Sequence, residues 1–131
     1  MTNNIDFKGQ DLRGRDFQGQ ILPGADFTGA RIDSRADTDP ITTGDKLLHT
    51  DFTDSDLTGA TFANVRGDRA LFTGCSAARA NFTGADLTLS NFNDADLTDA
   101  NFTGARIDGA SFLGANITGA QFPGEPPATT I

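Results

Sequence analysis

An apolar residue returns at every fifth position through most of the chain: Phe7, Leu12, Phe17, Leu22, Phe27 and Ile32, then Phe52, Leu57, Phe62 and Phe72, and on from Phe82 to Phe122. Gly67 and Ala77 stand in the same register. A five-residue period suits neither regular element. On an α-helix, five steps turn by about 500°, so successive centres drift around the axis. On a flat strand five is odd, and successive centres face opposite sides. The chain must turn once per unit if every centre is to point inward. Two positions before the centre stands a small residue, as at Ala25, Ala60, Ala95 and Ala100; just before it is Asp or Asn, and two after it is often Gly. Glycine supplies turn conformations closed to other residues, and Asp and Asn bond nearby backbone groups. Such units build a solenoid whose coils touch only their neighbours.

The stretches Ala85-Asp86-Leu87-Thr88-Leu89, Ala95-Asp96-Leu97-Thr98-Asp99 and Ala100-Asn101-Phe102-Thr103-Gly104 carry an A(D/N)LXX pattern. The chain resembles the pentapeptide repeat family over roughly residues 5–124. The resemblance implies an all-β, right-handed quadrilateral β-helix with four pentapeptide faces per coil. An even number of faces also follows from the residues, because all eleven Phe occupy alternate centres. Phe should then stack on two opposite walls, and Leu, Ile, Gly and Ala on the other two. Twenty-one units make about five coils, or roughly 25 Å at strand spacing. Residues 1–4 read as an N-terminal extension and 125–131 as a Pro-rich tail.

Phe recurs every ten residues except between Phe27 and Phe52, which are 25 apart. Removing fifteen residues restores the alternation and places Phe52 directly after Ile32. One loop is therefore expected near 35–49, with Leu47 and Leu48 anchoring it in a short helical turn. Gln10, Arg15 and Gln20 stand where small inward residues are expected, and should escape outward as a polar cap. Gly67 and Ala77 leave volume that Val65 and Cys75 are expected to fill. Leu71 and Leu113 are 42 residues apart, which places them on one wall as a modest partner surface.

Charge and composition narrow the function. Ten Lys and Arg against eighteen Asp and Glu leave a net charge of -8, which argues against binding phosphate backbones directly. One cysteine, Cys75, makes no internal disulfide. No run approaches the roughly 18 apolar residues of a membrane span, and the start lacks the basic and apolar regions of a signal peptide. These features give a cytoplasmic expectation with no membrane contact. His49 has no partners at a metal-ligand or triad spacing. The clustered Asp residues do not make a calcium loop, which ends in a bidentate Glu, because the sole Glu is Glu125. No nucleophile elbow, phosphate loop or dinucleotide fingerprint is present. The expectation is no enzyme, no cofactor and no metal.

What remains is a non-enzymatic protein-binding or scaffold module: a rigid acidic rod with a protruding recognition loop. The candidate partner-binding residues are Asp45, Lys46, Leu47, Leu48 and His49 in the loop, and Asp94, Asp96 and Asp99, which only Arg106 opposes in the C-terminal coils. The resemblance implies an alternative, since some pentapeptide repeat proteins imitate B-form DNA and bind type II topoisomerases such as gyrase. A rod of five coils matches only about seven base pairs at 3.4 Å each. The expected partner is a protein, with a topoisomerase as one reading, and the expected state is a monomer or a weak end-to-end dimer.

Overall fold

The computed structural model describes residues 5–37 and 46–131. Single parallel bridges join the chain to itself twenty residues on: Asp6 to Asp26, Arg66 to Asp86, Asn91 to Ser111. Twenty residues are four units, so the coil has four walls. The first stacks Phe7, Phe27, Phe62, Phe82, Phe102 and Phe122. The second stacks Leu12, Ile32, Gly67, Leu87 and Ile107. Phe17, Phe52, Phe72, Phe92 and Phe112 form the third, and Leu22, Leu57, Ala77, Leu97 and Ile117 the fourth.

Backbone hydrogen bonding explains the five-residue unit. Around Phe72, the Phe72 N–H donates to Asn91 O at 2.7 Å, Leu71 N–H to Thr50 O at 3.0 Å, and Gly74 N–H to Asn93 O at 2.9 Å. Cys75 N–H closes the turn onto Phe72 O at 3.2 Å. That leaves one N–H per unit, on the residue after the centre. Where Asp or Asn precedes the centre, its side chain takes that donor, as Asp51 Oδ1 does from Thr53 N–H at 2.9 Å. Buried or crowded backbone donors need partners, so the Asp/Asn preference is a bonding requirement. The turn also needs a left-handed residue at its third position, and Gly74 there has φ 66.

The Phe walls meet in the middle of the coil. Neighbouring rings along a wall lie parallel with centroids 4.6–5.1 Å apart. Rings from opposite walls meet edge-on at 5.4–6.0 Å. Both are favourable aromatic geometries, worth about 0.5–1.5 kcal/mol per pair beyond area burial. Phe rings reach across the section, and the smaller residues of the second and fourth walls fill its flanks.

Between the second and third walls the ladder changes register. Asp16 pairs with Asp51, Ile21 with Asp56, Asp26 with Thr61 and Arg31 with Arg66, an offset of 35 in place of 20. The extra residues include an antiparallel ribbon of β1 (Arg35–Asp37) and β2 (Lys46–Leu48), with Arg35 opposite Leu48 and Asp37 opposite Lys46. Leu47 and Leu48 therefore lie in a strand, not in the helical turn expected of them. A segment that leaves and re-enters one corner runs as two adjacent stretches, and pairing them satisfies backbone groups that a single turn would leave open. Thr42 and Asp45 fall outside the described residues.

The space beside Gly67 is also occupied from the preceding coil. A Cβ on Gly67 would sit 3.1 Å from Ile32 Cγ1 and 3.2 Å from Ile32 Cδ1. Ile32 of the preceding coil takes part of that space, and Val65 and Cys75 are both buried. At the ends, Gln10, Arg15 and Gln20 are exposed. The tail lies across the last coil, where Gly114 N–H donates to Thr129 O at 2.8 Å. Ile107, Ile117 and Phe122 there are only partly buried.

Candidate functional site

The insertion joins the coil through one hydroxyl. In a regular coil Gly9 N–H donates to Thr28 O, nineteen residues on, at 3.0 Å. The equivalent acceptor for Gly14 is Asp33 O, beside the point where the chain departs. Buried Thr50 stands between them. Its Oγ1 accepts Gly14 N–H at 2.9 Å and lies 3.2 Å from both Asp33 O and Leu12 O, either of which can take its hydrogen. Thr50 occupies the position that Ala holds in most units, and sequence reasoning passed over it. A hydroxyl at an inward position was the available signal, and Ser55 and Ser90 show the same sign, donating to Phe52 O and Gly67 O at 2.6 and 2.9 Å.

His49 ties the base of the ribbon to the next coil. Its Nδ1 is 2.9 Å from Ser34 Oγ and 3.2 Å from Arg69 O. A carbonyl only accepts, so the geometry calls for a hydrogen on Nδ1. His49 and Leu48 are half-buried. His49 seats the base of the ribbon against the corner between the second and third walls. The backbones of Lys46 and Leu47 lie in β2.

Asp94, Asp96 and Asp99 are exposed and lie elsewhere. They frame the fourth wall of the fourth coil: Asp94 on the turn before it, Asp96 just before Leu97, Asp99 on the turn after. Asp96 Oδ1 accepts Thr98 N–H at 3.1 Å and the Thr98 hydroxyl at 2.6 Å. Asp94 and Asp99 have φ 61 and 57, and their carboxylates lean over Gly114 and Gly119, where a Cβ would collide with them. The third wall separates this trio from the ribbon, so the two groups of candidate residues do not form one surface. In the column of Asp96, Asp56 lies two coils back with Ser76 between them, so that stripe of acid is interrupted.

Sorting by wall shows a division that chain order hides. The outward positions of the third wall hold Asp16, Asp51, Asp54 and Asp94, with exposed Arg15 at its entry in the first coil as the base beside them; Arg13, Arg31, Arg66, Arg69 and Arg106 all lie on the second wall or its turn. Leu71 and Leu113 share the third wall, two coils apart. Among the described residues no three His, Cys, Asp or Glu side chains gather as a metal site. Burial pushes the Cys75 thiol up to about 12, which keeps it protonated and unreactive at neutral pH.

A four-walled solenoid of five-residue turns, with charge sorted by wall and one inserted ribbon, defines the class. The chain belongs to the pentapeptide repeat family: the model of the pentapeptide repeat region matches residues 46–122 and that of eight pentapeptide repeats matches residues 3–34. The second match stops where the insertion begins, and the first starts within it, at β2. Proteins of this family are in general structural or binding modules. Among solved structures, the chain is 34% identical to a pentapeptide repeat protein of the Arabidopsis thaliana thylakoid lumen, covering 87% of this chain and 66% of that one, with a TM-score of 0.38. It is 27% identical to HetL of the cyanobacterium Nostoc, a pentapeptide repeat protein involved in heterocyst differentiation regulation, over 86% of this chain and 45% of that one, TM-score 0.38. It is 16% identical to QnrB1, a plasmid-mediated fluoroquinolone resistance protein, over 89% and 74%, TM-score 0.30. The chain thus spans less than two thirds of the length of the first two. Among curated proteins nothing matches.

Proposed function

We propose that the chain is a right-handed quadrilateral β-helix serving as a non-enzymatic protein-binding module of the cytoplasm, with the ribbon and its base as the recognition element. One observation carries this reading. The repeat is broken once, and the break is held by a dedicated set of contacts from Thr50, His49 and Ser34. A rigid mount limits the order lost on binding. The candidate contact residues are Asp45, Lys46, Leu47, Leu48 and His49.

The second reading is a DNA-mimicking modulator of a type II topoisomerase. The acidic third wall favours it, with exposed Asp94 at its edge and exposed Asp96 and Asp99 beyond the next corner. Two variants separate the readings. Excising residues 35–49 joins Ser34 to Thr50 in register and should keep the far-ultraviolet spectrum while abolishing capture of the partner from the native host. Replacing Asp94, Asp96 and Asp99 with Asn should leave that capture unchanged. If the excised protein still binds, and the Asn variant alone loses inhibition in a gyrase supercoiling assay, the loop reading fails and mimicry stands.

A further inference from the structure

The second wall departs from the repeat in the same way three times. Elsewhere the common triplet is Asp or Asn, centre, Thr, with the first side chain capping the third residue's N–H, as Asn81 does for Thr83 at 2.9 Å. On the second wall the triplets Arg31-Ile32-Asp33, Arg66-Gly67-Asp68 and Arg106-Ile107-Asp108 replace it. Arginine has no acceptor, so each substitution gives up a local hydrogen bond. Asp11-Leu12-Arg13 carries the same pair in reverse order. Each residue before a centre and each residue after it faces outward, so the wall presents two parallel columns, Asp11, Arg31, Arg66, Asp86 and Arg106 beside Arg13, Asp33, Asp68, Thr88 and Asp108, opposite in charge in every coil but the fourth.

Some of these charges are already paired. Arg13 forks onto Asp11 at 2.9 Å, and Arg31 reaches Asp33 at 3.0 Å. Asp68 is taken by Arg69 at 3.3 Å. Arg66, Arg106 and Asp108 are exposed and form no ion pair among the described residues. Nothing in the solenoid's own bonding requires arginine at these positions.

We propose that the second wall docks against the second wall of another copy of this chain, the two rods side by side and pointing the same way. The symmetry argument is specific. A two-fold axis along the rods sets each residue before a centre against the residue after that centre in its partner. Arg66 then faces Asp68, Arg106 faces Asp108, and Asp11 faces Arg13. The antiparallel arrangement, about an axis through the middle coil, also brings Asp11 to Arg106, Arg13 to Asp108 and Arg31 to Asp86, but it sets Arg66 against Arg66 and Asp68 against Asp68, whereas the parallel one opposes no like charges. Paired rods build a four-charge cluster in every coil but the fourth, where Asp86 faces Thr88, and networks are the arrangement in which surface ion pairs contribute most. The other walls, all net acidic, stay free. One narrow wall of five coils at about 4.8 Å each buries far less than the roughly 800 Å² per partner of a standard interface. The association is therefore weak and sensitive to salt.

Sedimentation of the full chain tests this. At low ionic strength the average mass should rise with concentration above the 13.8 kDa monomer. It should return to monomer in 1 M salt, where the screening length is about 3 Å. An acidic variant, Arg66→Asp with Arg106→Asp, should associate at least tenfold more weakly than the parent. So should a basic variant, Asp68→Arg with Asp108→Arg. Mixed together, the two should form a heterodimer at least tenfold tighter than either alone, which also shows that both are folded. A parent that stays monomeric at millimolar concentration in low salt overturns the proposal. So does a mixture that fails to associate, or an acidic variant that self-associates as the parent does.

Discussion

The second coil, from Phe27 to Leu57, carries the insertion; the fourth, from Phe82 to Leu97, runs without a break. Their cores are nearly the same. Phe27 and Phe52 meet edge-on at 5.4 Å, and Phe82 and Phe92 do so at 5.5 Å. Their corners differ. Between the second and third walls the fourth coil turns through Leu89 at φ 60, whereas the second coil leaves the solenoid after Ser34 and is rejoined through the Thr50 hydroxyl. The aromatic packing is insensitive to where the chain has been between two centres, so long as both return to their walls. The hydrogen-bond ladder is sensitive, and one side chain answers for it.

The largest effect should come where the two coils are alike. Phe52→Ala and Phe92→Ala should each cost about 3–5 kcal/mol in denaturant unfolding, as for other buried aromatics. A markedly smaller loss at Phe52 would mean that the insertion loosens the core. Thr50→Val should show the difference next, costing about 1–3 kcal/mol because Gly14 N–H loses its acceptor. Ser90→Ala in the intact coil should cost only about 0.5–1.5 kcal/mol, the net worth of one bond, since Gly67 O still accepts from Ala70 N–H. Equal losses at the two sites would remove the special role of Thr50.

Packing between the coils supplies a third test. Gly67→Ala should cost about 1–3 kcal/mol through overpacking against Ile32, and Ile32→Val should relieve part of it. Strict additivity of the two changes would show that the residues do not share the space. Leu89→Asn should change stability least of the substitutions, with a gain of up to about 1 kcal/mol, because Asn tolerates the left-handed region better than Leu. A loss in thermal unfolding would show that the contact of Leu89 with Gly109 outweighs its backbone strain.

Acid should separate the two halves by the smallest margin. The Arg13 side chain, hydrogen-bonded to Asp11, holds that carboxyl well below its usual range, and the Thr28 hydroxyl does the same more mildly for Asp26. Both residues lie in the first two coils. A carboxyl depressed in the folded state stabilises the protein above its unfolded value of about 3.9 and loses that contribution as pH falls further. Thermal stability should therefore be flat above about pH 5 and decline below about pH 4. Asp11→Asn with Asp26→Asn should weaken that acid dependence, and an unchanged profile would show that these two carboxyls are not its source.

The stacked Phe walls were legible because Phe occurs at alternate centres, and the register change because Phe27 and Phe52 break that spacing by a definite amount. Ribbon pairing was not legible: Leu47-Leu48 beside a lone His offers neither a strand alternation nor a helical period. Thr50 looked like one more polar residue, since its role depends on Gly14, 36 positions away. The sharing of space between Ile32 and Gly67 was hidden for the same reason. Charge by wall was also out of reach of a linear count. The five arginines of the second wall are spread from Arg13 to Arg106, and only the twenty-residue turn, with its one exception, brings them into line.

The ladder has a mechanical consequence. Its bonds run along the rod, and each coil is held to the next by the same small set of contacts on four walls. Tension applied to the two ends of the chain would load those bonds in series and peel the solenoid one wall at a time from its more weakly capped end. Each step would release one pentapeptide at nearly the same force. The exception is the corner where Thr50 binds Gly14: once that pin yields, the fifteen stored residues pay out together, a single long extension in an otherwise even staircase.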